Sequence, residues 1–464
     1  MKLQKLEIKN LYGFMNKTID FNKQLNLLVG INGSGKTSVL NVISWIMQPS
    51  WVDLCTIEFK KLQIEFYYES KKHVITCTQT ESNLTISIKE GTKQHKPLIA
   101  ALTIPPSNLI SNPNLKEFAR GQYEKLQPTP DEIEAWTYFL NLPNPIVISI
   151  DRKFDEKSER KNDSKLRVKN ISNQTNSIES VKFYSNEAFS IYNKRIIDLN
   201  KILRDEILLS SFESTIIDLN NVRKSSKGLS VNDVNKLEIN IIKFLEEDNS
   251  DQTTTDTLKN AVKNYAAEMR TIVDNYFKLR KEKGLNTNKD KKQDSKNNLF
   301  IDTNYIINSN QFTRIEKILK AFSKYEEDSS TAYRAIDIYL KSINHFLQDS
   351  SKDLFFKKEN GQLYFNIKDK NNKPFIFEQT IDGLSSGEKQ ILILFTYLAF
   401  GNTTGKIFII DEPEISLHPK WQDDFLQQLR NVTPTDTQLI IATHSPSIVG
   451  ELEEDCKILL PYNE

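Results

Sequence analysis

The sequence is poor in the residues that build covalent or metal-held frameworks. Its 464 residues include three cysteines, Cys55, Cys77 and Cys456, and five histidines, His73, His95, His345, His418 and His444. The cysteines stand at no metal-ligand spacing, which excludes a disulfide scaffold and leaves reduced thiols as the expected state. The histidines are too scattered for a compact His/Asn metal cluster. Charge of one sign is also missing: 62 Lys and Arg balance 61 Asp and Glu, so bulk electrostatics single out neither nucleic acid nor an acidic partner. No run approaches the ~20 apolar residues of a membrane-spanning helix. The start, MKLQKLEIKN, alternates apolar and polar residues as a half-buried strand does, not as a signal peptide. The expectation is a cytoplasmic globular protein of two or three structural units.

Leu25, Leu27, Leu28 and Val29 form a short apolar run, the pattern of a strand buried on both faces. A glycine-rich segment follows, and then Val39, Leu40, Val42, Ile43, Ile46 and Met47 recur at helical spacing. Residues 57–89 read as antiparallel strands, 113–141 as helix broken at Pro128 and Pro130, and PIVISI at 145–150 as another buried strand. Residues 155–180 are polar. From about 181 to 350 the pattern is amphipathic helix, as in Phe189, Ile196, Ile197, Leu199, Ile202 and Leu203, and in Leu258, Val262, Tyr265, Met269, Ile272, Val273 and Tyr276. KEKGLNTNKDKKQDSKNN at 281–298 predicts a charged, flexible loop. Strand patterning returns at 353, with Asn360-Gly361 as a hairpin signal. The expected class is α/β, with residues 1–152 and 351–464 forming one domain that a mainly helical insertion, 153–350, interrupts.

Four motifs carry chemistry. Gly30-Ile-Asn-Gly-Ser-Gly35-Lys36-Thr37 fits G-x-x-x-x-G-K-[ST] at every fixed position and lies between a strand and a helix. Its backbone N–H groups would cradle phosphates, and the helix N-terminus adds a positive dipole. Gly30, Asn32, Gly33, Ser34, Gly35, Lys36, Thr37 and Ser38 are thus the candidate nucleotide contacts. Lys36 should reach the β- and γ-phosphates, and Thr37 should offer its hydroxyl to Mg²⁺. Ile407–Ile410 is an apolar strand ending in Asp411 and Glu412, at the strand end where open α/β sheets bind ligands. Asp411 would hold Mg²⁺ through water, and Glu412 would act as general base. Leu384-Ser385-Ser386-Gly387-Glu388-Lys389-Gln390 precedes an apolar helix and suits two roles. It is either a serine helix cap or an anion site serving the γ-phosphate of another subunit. Finally, LIIAT runs into His444, whose imidazole can hydrogen-bond the γ-phosphate and the attacking water.

In this order the four motifs resemble the ABC ATPase superfamily, most of all its chromosome-maintenance (SMC-type) heads and the ATPase domain of overcoming-lysogenisation-defect proteins. Asp411-Glu-Pro-Glu-Ile-Ser-Leu-His-Pro419 is similar to that branch's extended acidic strand and D-loop. The resemblance implies an ABC-type P-loop NTPase head with an antiparallel β subdomain. It implies ATP and Mg²⁺ as cofactors, Glu412, His444 and Lys36 as catalytic groups, and Thr37 and Asp411 as metal ligands. Two heads would pair head-to-tail, with each P-loop facing Ser385, Ser386, Gly387 and Glu388 of the other copy. The family's Q-loop glutamine has no clear match: PIVISI ends in Asp151-Arg152, so Arg152 stands as a local equivalent and Gln63 as the other candidate. Tyr12 and Phe14 read as core-packing aromatics, with adenine stacking as the alternative.

Residues 155–350 contain no cysteine, which excludes the zinc hook of some SMC-type relatives, and short helical hairpins for oligomerisation or partner capture are expected. The chain ends 20 residues after His444, so the Toprim nuclease domain of overcoming-lysogenisation-defect proteins is not expected. The compact layout is similar to the ATPase subunits of bacterial anti-phage systems. The PARIS system joins such an ATPase to a Toprim-type effector, and the Septu system joins one to an HNH nuclease. The expected function is an ATP-driven switch that forms a homo-oligomer and controls a separately encoded effector nuclease, with a phage protein as trigger. The alternative is an SMC-like ATPase that clamps DNA. A transporter ATPase fits poorly with so long an insertion.

Overall fold

Leu3, Leu6 and Ile8 all point inward from β1 (Lys2–Leu11), which forms a hairpin with β2 (Met15–Asp20). The computed structural model describes residues 1–109, 112–148, 177–212, 230–247, 252–285, 294–369, 371, 373–401 and 405–461. The apolar run at 25–29 is β3 (Leu25–Val29), and the helix after the glycine loop is α1 (Lys36–Met47). After α2 (Trp51–Thr56) come β4 (Lys61–Tyr68), β5 (Lys71–Gln79), β6 (Asn83–Glu90), β7 (Lys93–Gln94) and β8 (Leu98–Ala101). They complete an antiparallel sheet of order β2-β1-β4-β5-β6-β7, with β8 also on β6. Inward residues alternate along β4 to β6, so one face of the sheet covers α1 and its core. The helices α3 (Pro106–Leu109), α4 (Pro113–Tyr123) and α5 (Ile133–Leu140) follow, with the break at the prolines as expected. PIVISI supplies β9 (Ile146–Ile148); Asp151 and Arg152 lie outside the described residues.

The chain divides into two compact units, Met1–Ser190 with Ala335–Glu464, and Ile191–Arg334. The second unit is helical. It draws on α6 (Ser177–Phe212), α7 (Val231–Glu247), α8 (Gln252–Leu285) and α9 (Asp294–Leu347). Val234 and Leu237 of α7 pack on Ala266, Met269 and Val273 of α8 and on Ile315 of α9. Arg270 ties the pair by hydrogen bonds to Asn235 at 2.9 Å and Glu238. The loop expected at 281–298 is corrected at both ends: residues 281–285 close α8 and residues 294–298 open α9, since Lys and Glu are good helix formers as well as polar. The amphipathic reading of α6 also needs correction. Leu199 and Leu203 are buried, whereas Ile197 and Ile202 face solvent, 67% and 46% exposed.

In the first unit the chain continues through β10 (Lys352–Phe356), β11 (Leu363–Lys368) and β12 (Pro374–Thr380), a small antiparallel sheet. Then come α10 (Ser386–Phe400), β13 (Ile407–Asp411), α11 (Pro419–Val432), β14 (Gln438–Thr443), α12 (Pro446–Val449) and β15 (Cys456–Ile458). A parallel sheet of order β15-β3-β14-β13-β9 results. Its central strands are covered on both faces, which explains their nearly continuous apolar runs. Each fully buried Leu or Ile there contributes about 2 kcal/mol. Gln438 is buried yet satisfied: it accepts from the Leu3 N–H at 2.6 Å and donates to the Leu3 and Asn22 carbonyls at 2.9 and 2.7 Å. This one side chain fastens the antiparallel sheet to the parallel one. The register places Thr443 beside Val29 and Asp411 beside Ala442, so β3, β14 and β13 end level with one another.

Candidate active site

Those three level strand ends bring the motifs together. β3 runs into Gly30, β14 into His444 and β13 into Glu412, and β14 lies between the other two. His444 accordingly sits in the middle. Its Nδ1 is 3.2 Å from the Lys36 ammonium, which can only donate, so Nδ1 accepts. The proton of the neutral ring is then on Nε2, which lies 3.1 Å from Glu412 Oε1. A directed chain results: Lys36 donates to His444, and His444 donates to the Glu412 carboxylate. Lys36 also donates to the carbonyls of Gly30 at 2.8 Å and Ile31 at 3.2 Å, so its ammonium is held within the loop. Burial lowers the Lys36 pKa, against the pull of Glu412, Asp411 and Glu414.

Two glycines of the loop leave no space for a side chain. Gly35 has φ +90°, and a Cβ there would stand 2.6 Å from the Met15 methyl group, so only glycine fits without strain. At Gly30 a Cβ would stand 2.5 Å from the Leu459 carbonyl and from Ser34 Oγ. No side chain caps the first amides of α1, and no acidic residue occupies its first turn, which leaves these N–H groups open to an anion. Ser34 is buried, and its hydroxyl has no hydrogen-bond partner among the described residues. Asn32, Gly33 and Thr37 are exposed, and Ser38 is half-buried.

Asp411 and Thr37 meet here as well. The Thr37 hydroxyl is placed to donate to the Asp411 carboxylate, while Asp411 Oδ1 is buried and without a hydrogen-bond partner among the described residues. Burial raises the Asp411 pKa, and Glu412 and Glu414 push the same way against Thr37 and Lys36. A hydroxyl and a carboxylate oxygen with spare acceptor capacity, crowded by other acids, are the hard oxygen donors that suit Mg²⁺. Glu412 has φ +48°, a left-handed conformation that costs a β-carbon residue about 1–2 kcal/mol. Its N–H donates to the Ala442 carbonyl at 2.9 Å, which keeps it in place beside His444.

Glu414 belongs to the cluster and was not among the candidate site residues. Its Oε1 accepts from the Thr443 hydroxyl at 2.9 Å and from the His444 N–H, so it fixes the end of β14 and with it the imidazole. The repeated acids of Asp411-Glu-Pro-Glu414 were the available signal.

The segment 384–390 is built differently. Ser385 is the N-cap of α10: its hydroxyl accepts from the Glu388 N–H, and the Glu388 carboxylate accepts from the Ser385 N–H at 2.7 Å. Glu388 is buried and also binds Lys352 at 2.7 Å and the Ser350 hydroxyl at 2.6 Å. Burial alone would raise its pKa, but Lys352, Ser350 and Ser385 outweigh that and hold it below the ordinary value. The assignment of Glu388 as a nucleotide contact is therefore corrected: its carboxylate is turned inward and fully engaged. Ser385 and Ser386 are exposed and Gly387 half-exposed, and none of the hydrogen bonds that build the Lys36–His444–Glu412 chain reaches them.

Gln63 does not enter the cluster. Its amide hydrogen-bonds within the antiparallel sheet, to Glu65 at 3.0 Å and Thr76 at 3.4 Å. Tyr12 and Phe14 are not core residues: they are 36% and 64% exposed at the β1–β2 turn, which the left-handed backbone of Tyr12 and Gly13 turns outward. Among the described residues, no group of three or more His, Cys, Asp or Glu side chains is gathered to hold a metal, and no helix is long and apolar enough to cross a membrane.

Comparison with known proteins adds a family. A model described as "AAA ATPase domain" matches residues 1–449. The chain is similar to "Retron Vc95 probable ATPase" of Vibrio cholerae, 35% identical over 107 residues, covering 18% of this chain and 20% of that protein. It is also similar to "UvrABC system protein A" of Mycoplasmopsis pulmonis, 30% identical over 111 residues, covering 23% of this chain and 12% of the relative. The chain thus spans a fifth or less of the length of these two relatives. Among solved structures, the Smc head domain of Pyrococcus furiosus aligns over 97% of this chain and 91% of its own at 11% identity and TM-score 0.36. The SMC head domain of Thermotoga maritima aligns over 99% and 94% at 11% identity and TM-score 0.31.

Proposed function

The chain belongs to the AAA ATPase domain family, and from that premise we propose that it binds ATP at Gly30–Thr37 and hydrolyses it in a site shared between two copies. The observation that carries this reading is the hydrogen-bonded chain Lys36–His444–Glu412 at the ends of three adjacent parallel strands, beside Thr37 and Asp411. The entering triphosphate offers Lys36 a stronger acceptor than the carbonyls of Gly30 and Ile31, and the ammonium swings to it. Its departure frees His444 Nδ1. Glu412, still receiving Nε2–H on one carboxylate oxygen, keeps its second oxygen to take the proton of the attacking water. Mg²⁺, which Thr37 and Asp411 would hold, supplies neutralisation of the phosphate charge.

The exposed N–H groups at the start of α10, with Ser385, Ser386 and Gly387, would complete the γ-phosphate site of a second copy paired head-to-tail. ATP then holds the pair together and hydrolysis releases it. The segment 153–350 is assigned oligomerisation or partner binding. The local similarity to a retron ATPase supports a defence setting, in which the clamp controls a separately encoded effector nuclease of Toprim type, as in PARIS, or of HNH type, as in Septu. Glu412→Gln tests the chemistry: phosphate release should fall about 10²–10⁴-fold while ATP binding and an ATP-dependent dimer persist. Turnover at the wild-type rate would remove Glu412 from the role of base. Affinity purification from the native host tests the setting. A co-purifying nuclease supports it, and DNA in place of a protein partner favours the alternative, an SMC-like ATPase that clamps DNA.

A further inference from the structure

We propose that the outward face of α6 is a contact surface for a second copy of this chain, with the two helices antiparallel about the point between Leu199 and Asn200. Ile191, Lys194, Asp198, Lys201, Asp205 and Leu208 follow the 3-4-3-4-3 spacing of a coiled-coil seam. All six are exposed, while Leu199 and Leu203 on the opposite side are buried, Leu203 against Ala321 and Phe322. The helix thus satisfies its inner face within its own unit and presents a second ordered face to solvent.

That second face is complementary to itself. In an antiparallel pair of identical helices, residues equidistant from the two-fold axis meet in one layer, and each contact occurs twice. About the 199/200 midpoint, Ile191 meets Leu208, Lys194 meets Asp205, and Asp198 meets Lys201. Every lysine faces an aspartate, and the aliphatic residues close both ends of a seam about 26 Å long. The flanking Ile197 and Ile202 are equidistant from the same midpoint. A parallel pair in register would set Lys194 and Lys201 against themselves and Asp198 and Asp205 against themselves. An antiparallel pair slipped by one heptad would put Ile191 against Lys201. The charges therefore select one alignment, and the aliphatic layers supply the attraction, since exposed ion pairs add little strength.

Within its own copy the seam is little occupied. Asp205 lies 3.5 Å from the neighbouring Arg204, and no side chain among the described residues pairs with Lys194, Asp198 or Lys201. Complementarity to itself, rather than to an excess of one charge, points to a second copy of the chain and not to a foreign acidic or basic partner.

Charge exchange tests this on the full chain, by sedimentation velocity without nucleotide, so that ATP-driven pairing of heads does not contribute. Lys194→Asp with Lys201→Asp makes the seam all acidic. Asp198→Lys with Asp205→Lys makes it all basic. Each double variant should self-associate at least about ten-fold more weakly than the wild type. An equimolar mixture of the two should recover wild-type affinity. The chain carrying all four exchanges is again self-complementary and should also recover, which separates the effect from misfolding. A wild type that stays monomeric, double variants that associate as the wild type does, or a mixture no stronger than its components would each overturn the proposal.

Discussion

The helix α1 starts at Gly35 with no side chain on its first amides, whereas α10 starts at Ser385 with a reciprocal cap. Both follow small, serine-containing segments, and both read from sequence as anion sites. At α1 the first N–H groups are uncapped, Gly30 and Gly35 leave no space for a side chain, and Lys36 is held within the loop. At α10 the hydroxyl of Ser385 and the carboxylate of Glu388 are already used, and Lys352 and Ser350 hold that carboxylate from behind. The first start is uncapped and, in the proposed function, would receive phosphate; the second is a capped edge that presents only its outer groups. Changes at α1 should therefore act on nucleotide, and changes at α10 first on stability.

Of changes at these two helix starts, the largest expected effect is Lys36→Ala, which should reduce turnover about 10²–10³-fold by removing one donor to the phosphates. Its melting temperature should shift less than that of Glu388→Ala. Next is Glu388→Ala itself, which leaves Lys352 without its partner and removes the carboxylate half of the capping box of α10. Denaturant unfolding should show a loss of about 3 kcal/mol. Glu388→Gln combined with Lys352→Met keeps the cap and removes both charges, so the loss should shrink to about 1 kcal/mol. If the combined change is as harmful as Glu388→Ala, the ion pair is not what makes α10 rigid. The same carboxylate sets a pH dependence. Its pKa is lowered in the fold, so its contribution is present above the ordinary value of 4.5 and is lost as pH falls through the lowered folded value. The stability gap between the wild type and Glu388→Gln should narrow on acidification below that point. The smallest effect is Ser385→Ala, about 1 kcal/mol from the lost N-cap, measured by thermal unfolding. Lost ATP binding with intact stability in Glu388→Ala would break the comparison.

Sequence alone reached the parts of the candidate site that rest on fixed spacing or on a strand end. Gly30–Thr37, Asp411-Glu412 and His444 were legible because a loop of defined geometry or an apolar run ending in a polar group leaves a local signature. The α/β class and the interrupted order followed from the same runs. What was not legible depends on partners distant in the chain. Glu388 reads as part of an anion-binding segment until Lys352 and Ser350 are seen behind it. Glu414 acts through the end of a strand 29 residues later. The outward Ile197 and Ile202 obey the helical period but face away from the core. Tyr12 and Phe14 are aromatic, which suggests burial, yet the left-handed turn that carries them points them to solvent.

In the proposed function the loop before α1 works against the start of α10 in another copy. Lys36→Ala disables the first and Ser386→Arg, on an exposed residue outside the cap, obstructs the second. Each variant alone should be inactive. Mixed in equal amounts, they form pairs with one intact composite site, and steady-state phosphate release should recover to about a quarter of the wild-type rate. A mixture as inactive as its components would contradict a site shared between copies.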